Sequence, residues 1–151
     1  MQRVWETCGA DETRDLGRRL AQAAKPGEVY ALSGDLGVGK TVFAKGFAEG
    51  LGIREAVTSP TFTILQIYEK GRLPLCHMDT YRLEDEEELE AIGGEEYLGS
   101  PWVTLIEWPE RVWELLPPGC FTICIEKDPG RGTDYRRITF SREETHENTG
   151  H

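Results

Sequence analysis

Apolar and polar positions along this chain alternate between two periods, and the switch between them outlines the fold. Val29-Tyr30-Ala31-Leu32 is an unbroken apolar run between Glu28 and Ser33, which predicts a buried strand over 28–33. Further on, Phe43, Phe47 and Leu51 recur every four residues with Ala44 and Ala48 between them. That spacing makes one apolar helix face, and Gly50 and Gly52 supply its stop. Upstream, residues 2–6 fit a short first strand. Asp11-Glu12-Thr13 then opens a helix with acid in its first turn, Leu16, Leu20 and Ala24 mark its inner face, and Lys25-Pro26-Gly27 ends it.

The second half reads less evenly. Residues 57–68 are rich in β-branched side chains and predict extended chain, and Glu69-Lys70-Gly71-Arg72 turns them into a strand over 73–78. A helix is expected over 84–92, with Leu83 and Leu89 on one side. Val103-Thr104-Leu105-Ile106 predicts another buried strand, and a short helix over 110–116 stops at Pro117-Pro118-Gly119. Residues 121–126 and 136–140 fit a closing strand pair around an Asp128-Pro129-Gly130 turn. The residues 141–151 are polar and are expected to be disordered. There is no internal repeat and no linker, which predicts one domain over 1–140.

The segment joining the first buried strand to the apolar helix carries the chemistry. Gly34-Asp35-Leu36-Gly37-Val38-Gly39-Lys40-Thr41 fits G-x-x-x-x-G-K-[ST], the phosphate-binding P-loop. A phosphate chain needs many donors at close range. Glycines let backbone N–H groups turn inward without a Cβ in the way, and the helix that follows points its unpaired N–H groups at the anion. Gly34, Leu36, Gly37, Val38, Gly39, Lys40 and Thr41 are therefore the candidate nucleotide-binding residues. Lys40, expected to be exposed at the loop, would reach the β- and γ-phosphates, and the Thr41 hydroxyl would hold Mg²⁺. The plainer reading is a glycine-rich turn. The strand before it and the helix behind it favour the nucleotide site.

A P-loop enzyme needs a second acid near the metal, at the end of a strand beside the loop strand. Glu107 ends the apolar run 103–106, and Asp79 follows Leu75-Cys76-His77-Met78. Either could instead cap a helix. Ser59-Pro60-Thr61-Phe62 follows the P-loop helix, where such proteins place a segment sensing the γ-phosphate. Alone, Ser-Pro-Thr is simply a turn. His77 and Asp79 form an H-x-D that could bind metal, but with no third ligand at a recognisable spacing a hydrogen-bonded structural His77 is favoured. The run Glu84-Asp85-Glu86-Glu87-Glu88 with Glu90 reads first as a solvated helix face, and second as a docking surface for a basic partner.

Composition narrows the class. The chain has 151 residues, 38% hydrophobic and 29% charged, a globular balance with room for one core. No apolar run approaches the ~20 residues of a membrane span. Residues 1–6 lack the apolar stretch of a secretory signal, so the cytoplasm is the expected compartment. With 27 acidic and 17 basic residues the net charge is −10, the wrong sign for gripping nucleic acid unaided. Cys8, Cys76, Cys120 and Cys124 form no C-x-x-C. Cys120 and Cys124, on one expected strand, would stand ~13 Å apart, too far to share a metal, so reduced, buried thiols are expected.

Taken together, the P-loop, then Ser59-Pro60-Thr61-Phe62, His77-Met78-Asp79-Thr80-Tyr81-Arg82-Leu83 and Ile106-Glu107-Trp108-Pro109 resemble the TsaE family, with Asp11-Glu12-Thr13 and Leu16-Gly17 as an N-terminal match. These are the bacterial ATPases of tRNA threonylcarbamoyladenosine synthesis, and the likeness runs over about residues 5–140. It implies a single α/β P-loop domain around a mixed sheet flanked by helices. It implies ATP and Mg²⁺ as cofactors, slow hydrolysis, and TsaB and TsaD type partners that hold the tRNA. Carried over by motif, Thr41 and Glu107 would serve Mg²⁺. Lys40, Asp79, Thr61 and Trp108 would matter for activity. Ala10, in the region before Asp11, and Arg131 in the C-terminal part would frame the adenine. Two alternatives stay open: a small P-loop kinase acting on a metabolite, for which Arg131, Arg136 and Arg137 could form a lid, and a nucleotide-gated binding module with negligible turnover.

Overall fold

The computed structural model describes residues 2–35, 37–57, 65–80, 86–91 and 93–142, the side chains of Glu86 and Arg111 excepted. Leu36, Thr61, the segment 59–62, Leu83 and the end of the expected tail lie outside these residues. The elements in chain order are β1 (Gln2–Cys8), α1 (Ala10–Gln22), β2 (Val29–Ser33), α2 (Lys40–Gly50), β3 (Leu65–Tyr68), β4 (Leu75–Asp79), α3 (Glu86–Ala91), β5 (Val103–Glu107), β6 (Phe121–Lys127) and β7 (Tyr135–Arg142). Three short 3₁₀ segments cover Gly94–Tyr97, Pro109–Leu115 and Pro129–Arg131.

All seven strands form one mixed sheet in the order β1-β7-β6-β2-β5-β4-β3. Its centre is parallel: β6 with β2, β2 with β5, and β5 with β4. Antiparallel pairs close both margins, β3 on β4 at one side and β6–β7–β1 at the other. The apolar run in β2 is explained by this centre. Tyr30 and Leu32 point to the face covered by α1 and α2, while Val29 and Ala31 point to the face covered by Leu89, Val112 and Leu116. Both faces are dry, so no polar alternation is needed.

Helix α2 forms where the four-residue apolar period placed it. Phe43, Phe47 and Leu51 are fully buried. Eleven residues would make a marginal helix in isolation. Burying each phenyl ring contributes about 2 kcal/mol, so packing on the sheet, not propensity, fixes α2. Close packing with α1 depends on glycine. A Cβ at Gly17 would lie 2.5 Å from the Phe43 carbonyl oxygen, and one at Gly46 would collide with the Arg14 carbonyl.

Several boundaries differ from the sequence reading. Helix α1 stops at Gln22, so Ala24 is buried just beyond it. The helix expected over 110–116 is a 3₁₀ segment, because Val112 at φ −128° breaks the α geometry. Ser141 and Arg142, assigned to the tail, continue β7, with Ser141 paired to Gln2 and Thr122. The thiols are all free, but Cys8 is exposed and Cys124 half-buried, so only Cys76 and Cys120 meet the expectation of burial.

Candidate nucleotide-binding site

The site is assembled at the carboxyl ends of β2, β5 and β4, where ligands of parallel α/β sheets are received. Register brings the chemistry together: Leu32 on β2 pairs with Glu107 on β5, and Glu107 pairs with Asp79 on β4. Both candidate acids therefore stand side by side at the strand ends, next to the loop that leaves β2 after Ser33.

The loop conformation demands its glycines. Gly34 has φ 148°, and a Cβ there would lie 2.7 Å from the Ile125 carbonyl oxygen and 2.8 Å from a Val38 methyl. Gly39, at φ 110°, is the residue before α2, and the Phe43 N–H reaches back to its carbonyl at 2.9 Å. A side chain at either position would be strained. The turn is tied from within by the Val38 N–H bond to the Asp35 carbonyl, 3.3 Å. It is tied from outside by Arg136, whose Nε donates to the Val38 carbonyl at 2.8 Å. Sequence reasoning grouped Arg136 with a possible lid. Its partners, the carbonyls of Val38, Thr133 and Tyr135, make it a brace for the loop.

Lys40 is not exposed as the sequence suggested; it is only 5% accessible. Its ammonium donates to the Gly34 carbonyl at 2.6 Å and lies 3.2 Å from the centre of the Trp108 ring. Burial pushes its pKa down, opposed by the carboxylates of Glu107, Asp79, Glu110 and Asp35. Trp108 is the one non-glycine residue with positive φ, 59°, among the described residues. Such a conformation costs on the order of 1–3 kcal/mol and needs support from its surroundings. The Trp108 N–H donates to the Leu32 carbonyl at 3.2 Å, and the Trp108 carbonyl accepts the Thr80 hydroxyl at 2.5 Å. Pro109 follows at once and starts the next segment.

Glu107 is buried, 3% exposed, and its Oε2 lies 2.6 Å from His77 Nε2. The favoured reading of His77 as a hydrogen-bonded residue holds, with its partner now specified. Thr80 grips the same corner, its N–H at 3.1 Å and its hydroxyl at 3.0 Å from the Glu107 carbonyl. Neither Thr80 nor Arg136 carried a signal strong enough to be singled out by motif spacing. Thr80 stood inside the quoted H-x-D-T-Y-R-L run, and Arg136 in the last arginine cluster.

Two recesses flank the loop. One, about 580 Å³, is bordered by Gly34, Asp35, Trp108, Glu110 and Lys127. The other, about 220 Å³, lies between the start of α1 and the loop, bordered by Gly9, Ala10, Thr13, Val42 and Arg136. Ala10 thus borders the same recess as Gly37, Val38 and Gly39. Arg131 is turned elsewhere: its guanidinium pairs with Glu6 at 3.1 Å and lies over the Tyr135 ring, with 56% of the side chain exposed.

Thr41, Glu107 and Asp79 offer oxygen only, the donor set of a hard cation such as Mg²⁺, which is held by one or two carboxylates and otherwise by water and phosphate. On that ground the residues fit such an ion. Among the described residues no helix is long and apolar enough to cross a membrane.

Comparison with known proteins agrees with the geometry. Residues 7–138 match the family model described as Threonylcarbamoyl adenosine biosynthesis protein TsaE. The tRNA threonylcarbamoyladenosine biosynthesis protein TsaE of Bacillus subtilis is 49% identical over 140 residues, which cover 93% of this chain and 85% of the relative. The protein of the same name from Treponema pallidum is 46% identical over 116 residues, covering 77% and 85%. The crystal structure of Bacillus subtilis YdiB superposes with a TM-score of 0.81 at 43% identity, over 94% of this chain and 86% of that one. With a P-loop at the expected place in a matching fold and a family match spanning most of its length, the chain belongs to the TsaE family.

Proposed function

We propose that this chain is a Mg²⁺-dependent ATPase that supports a TsaB–TsaD type complex forming threonylcarbamoyladenosine in tRNA, in the cytoplasm. The observation that carries the reading is the pairing of Glu107 with Asp79 and Leu32 at the strand ends, directly beside a glycine loop that opens α2. The loop N–H groups and the start of α2 receive the phosphates, and Lys40 turns from the Gly34 carbonyl to the β- and γ-oxygens. Thr41 and Glu107 would hold Mg²⁺, with Asp79 beside Glu107 at the strand ends, and the ion would supply positive charge against that developing on the γ-phosphoryl group. Ala10 borders the recess that takes the adenine. Arg131 reaches that base only by exchanging Glu6 and Tyr135, so Arg131→Ala tests its part through ATP affinity. Leu36 and Thr61 are assigned to the loop and to γ-phosphate sensing on their motifs alone.

The kinase alternative required a mobile arginine lid. Arg136 is tied to three carbonyls as a brace for the loop, which leaves only Arg131 and Arg137, in surface ion pairs with Glu6 and Glu126, for such a lid. The test is ATP consumption by the purified chain, alone and with TsaB and TsaD, alongside tRNA threonylcarbamoylation over many turnovers. ADP should accumulate slowly without any phosphorylated acceptor. Multiple-turnover modification should need this chain and fail with Thr61→Ala or Trp108→Ala, while ATP binding survives. Nucleotide binding without hydrolysis, even in the complex, would establish the binding module instead. Full modification with the chain omitted would remove the proposed role.

A further inference from the structure

Strand β4 delivers a buried histidine to a place where phosphate binding does not call for one. His77 is 1% exposed, its Nε2 is 2.6 Å from Glu107 Oε2, and its Nδ1 is buried with no partner among the described residues. With Glu107 as the ligand of a cation, as proposed above, its oxygens only accept, and the shared hydrogen is assigned to His77 Nε2. The backbone of His77 is held in the sheet between Gln66 of β3 and Leu105 of β5, and Asp79 stands opposite Glu107. A glutamate side chain has three rotatable bonds, and a single bond to a fixed ring removes most of that freedom. Thr80, from the same strand end, fixes the backbone of Glu107 and Trp108 through their carbonyls.

We infer that His77 is a positioning residue: its Nε2–H holds Glu107 Oε2, which leaves Oε1 to serve the cation that Glu107 is proposed to hold. This rests on the reading of Glu107 given above. Partners that orient a ligating carboxylate are worth about 10- to 100-fold in metal affinity or activity, and that is the effect expected here.

The test uses the full chain in two arms. In the first, long-range ¹H–¹⁵N spectra of uniformly labelled protein report the histidine tautomers. The chain has three histidines, His77, His146 and His151, so the His77→Gln spectrum assigns the signal. A Nε2–H tautomer supports the inference, and a Nδ1–H tautomer overturns it. In the second arm, turnover is measured against Mg²⁺ concentration for His77→Leu, His77→Gln and Glu107→Gln, with ADP affinity in EDTA as the control for the fold. His77→Leu should raise the half-saturating Mg²⁺ or lower turnover by about 10-fold or more, with ADP affinity unchanged. His77→Gln, which keeps a donor near the same point, should recover most of the loss. If Glu107→Gln loses turnover but His77→Leu behaves as the parent, only the positioning role falls. If Glu107→Gln also turns over normally, the metal reading of Glu107 falls and takes this inference with it. Should His77→Leu fail to fold, the tautomer and the His77→Gln profile decide the matter.

Discussion

At the scale of single residues, Lys40 carries the sharpest consequence. Its cation rests on the Trp108 ring and the Gly34 carbonyl, so the ammonium proposed to bind phosphate is held beside the loop. A cation–π contact contributes about 0.5–2 kcal/mol, whereas an ammonium–phosphate bond in a loop of donors is stronger, so phosphate should win. Nucleotide should therefore lift Lys40 off the ring and change Trp108 fluorescence. The signal is isolated by comparison with Trp108→Phe, since the chain has four tryptophans. An identical nucleotide response in Trp108→Phe would sink the idea. Lys40→Ala should lower turnover by at least ~100-fold, the usual cost of losing one charge-stabilising donor, and a colorimetric phosphate assay measures it. Cys76 supplies a pH prediction. Burial pushes its thiol up to about 12 from an ordinary value of 9.0. A raised folded value means the folded state holds its proton longer, so the stabilisation is complete below pH 9 and is lost as pH climbs towards 12. Thermal melts above pH 9 should fall less steeply for Cys76→Ala than for the parent, and at pH 8 iodoacetamide should modify exposed Cys8 while sparing Cys76.

At the scale of elements, the α1–α2 crossing ties stability to the site. Gly17, Gly46 and Gly50 sit where a Cβ would strike the neighbouring helix backbone or side chains, and α1 begins at Ala10, on the edge of the smaller recess. Gly46→Ala gains about 1 kcal/mol of helix propensity. Overpacking against the Arg14 carbonyl costs about 1–3 kcal/mol, and backbone cannot swing aside as a side chain can. The net expectation is destabilisation, read as a lower denaturant midpoint, with weaker nucleotide affinity as α1 shifts away from the loop. The same elements show what could be read from the chain. Strand β2, the loop and α2 were legible because their apolar periods are long and opposite in kind, and because G-x-x-x-x-G-K-[ST] has a mechanism. Glu107 and Asp79 were legible as strand-end acids. That Asp79 would lie beside Glu107 was not, since strand order and register are properties of the assembled sheet. The burial of Lys40 was illegible for the same reason: it depends on Trp108, 68 positions away in the chain (108 − 40), taking a left-handed backbone conformation that no local propensity favours. The 3₁₀ form of Pro109–Leu115 was not legible, because a short helix bounded by prolines reads alike in either form and only the backbone of Val112, at φ −128°, separates them.

At the scale of the whole molecule, charge decides what the chain can hold unaided. Its net charge is −10, and the affinity of nucleic-acid binders draws largely on Lys and Arg that neutralise phosphates and release their counterions. Several of its cations are already engaged: Arg14 with Glu49, Arg18 and Arg19 with Asp15, Arg131 with Glu6, and Arg137 with Glu126. The proposed nucleotide makes a smaller demand, because backbone N–H groups and the start of a helix attract phosphate at close range. A tRNA backbone offers no such short-range grip, and over its length the acidic surface repels it. In electrophoretic mobility assays at about 150 mM salt, where long-range attraction is screened within roughly 8 Å, the chain alone should not retard tRNA at micromolar concentration, with or without ATP. Added to a TsaB–TsaD complex, it should alter tRNA retention in a manner that depends on which nucleotide is present, and Lys40→Ala should abolish that dependence. Tight tRNA binding by the chain alone would overturn the assignment of tRNA to its partners. A nucleotide effect that survives Lys40→Ala would mean that the switch does not pass through the P-loop.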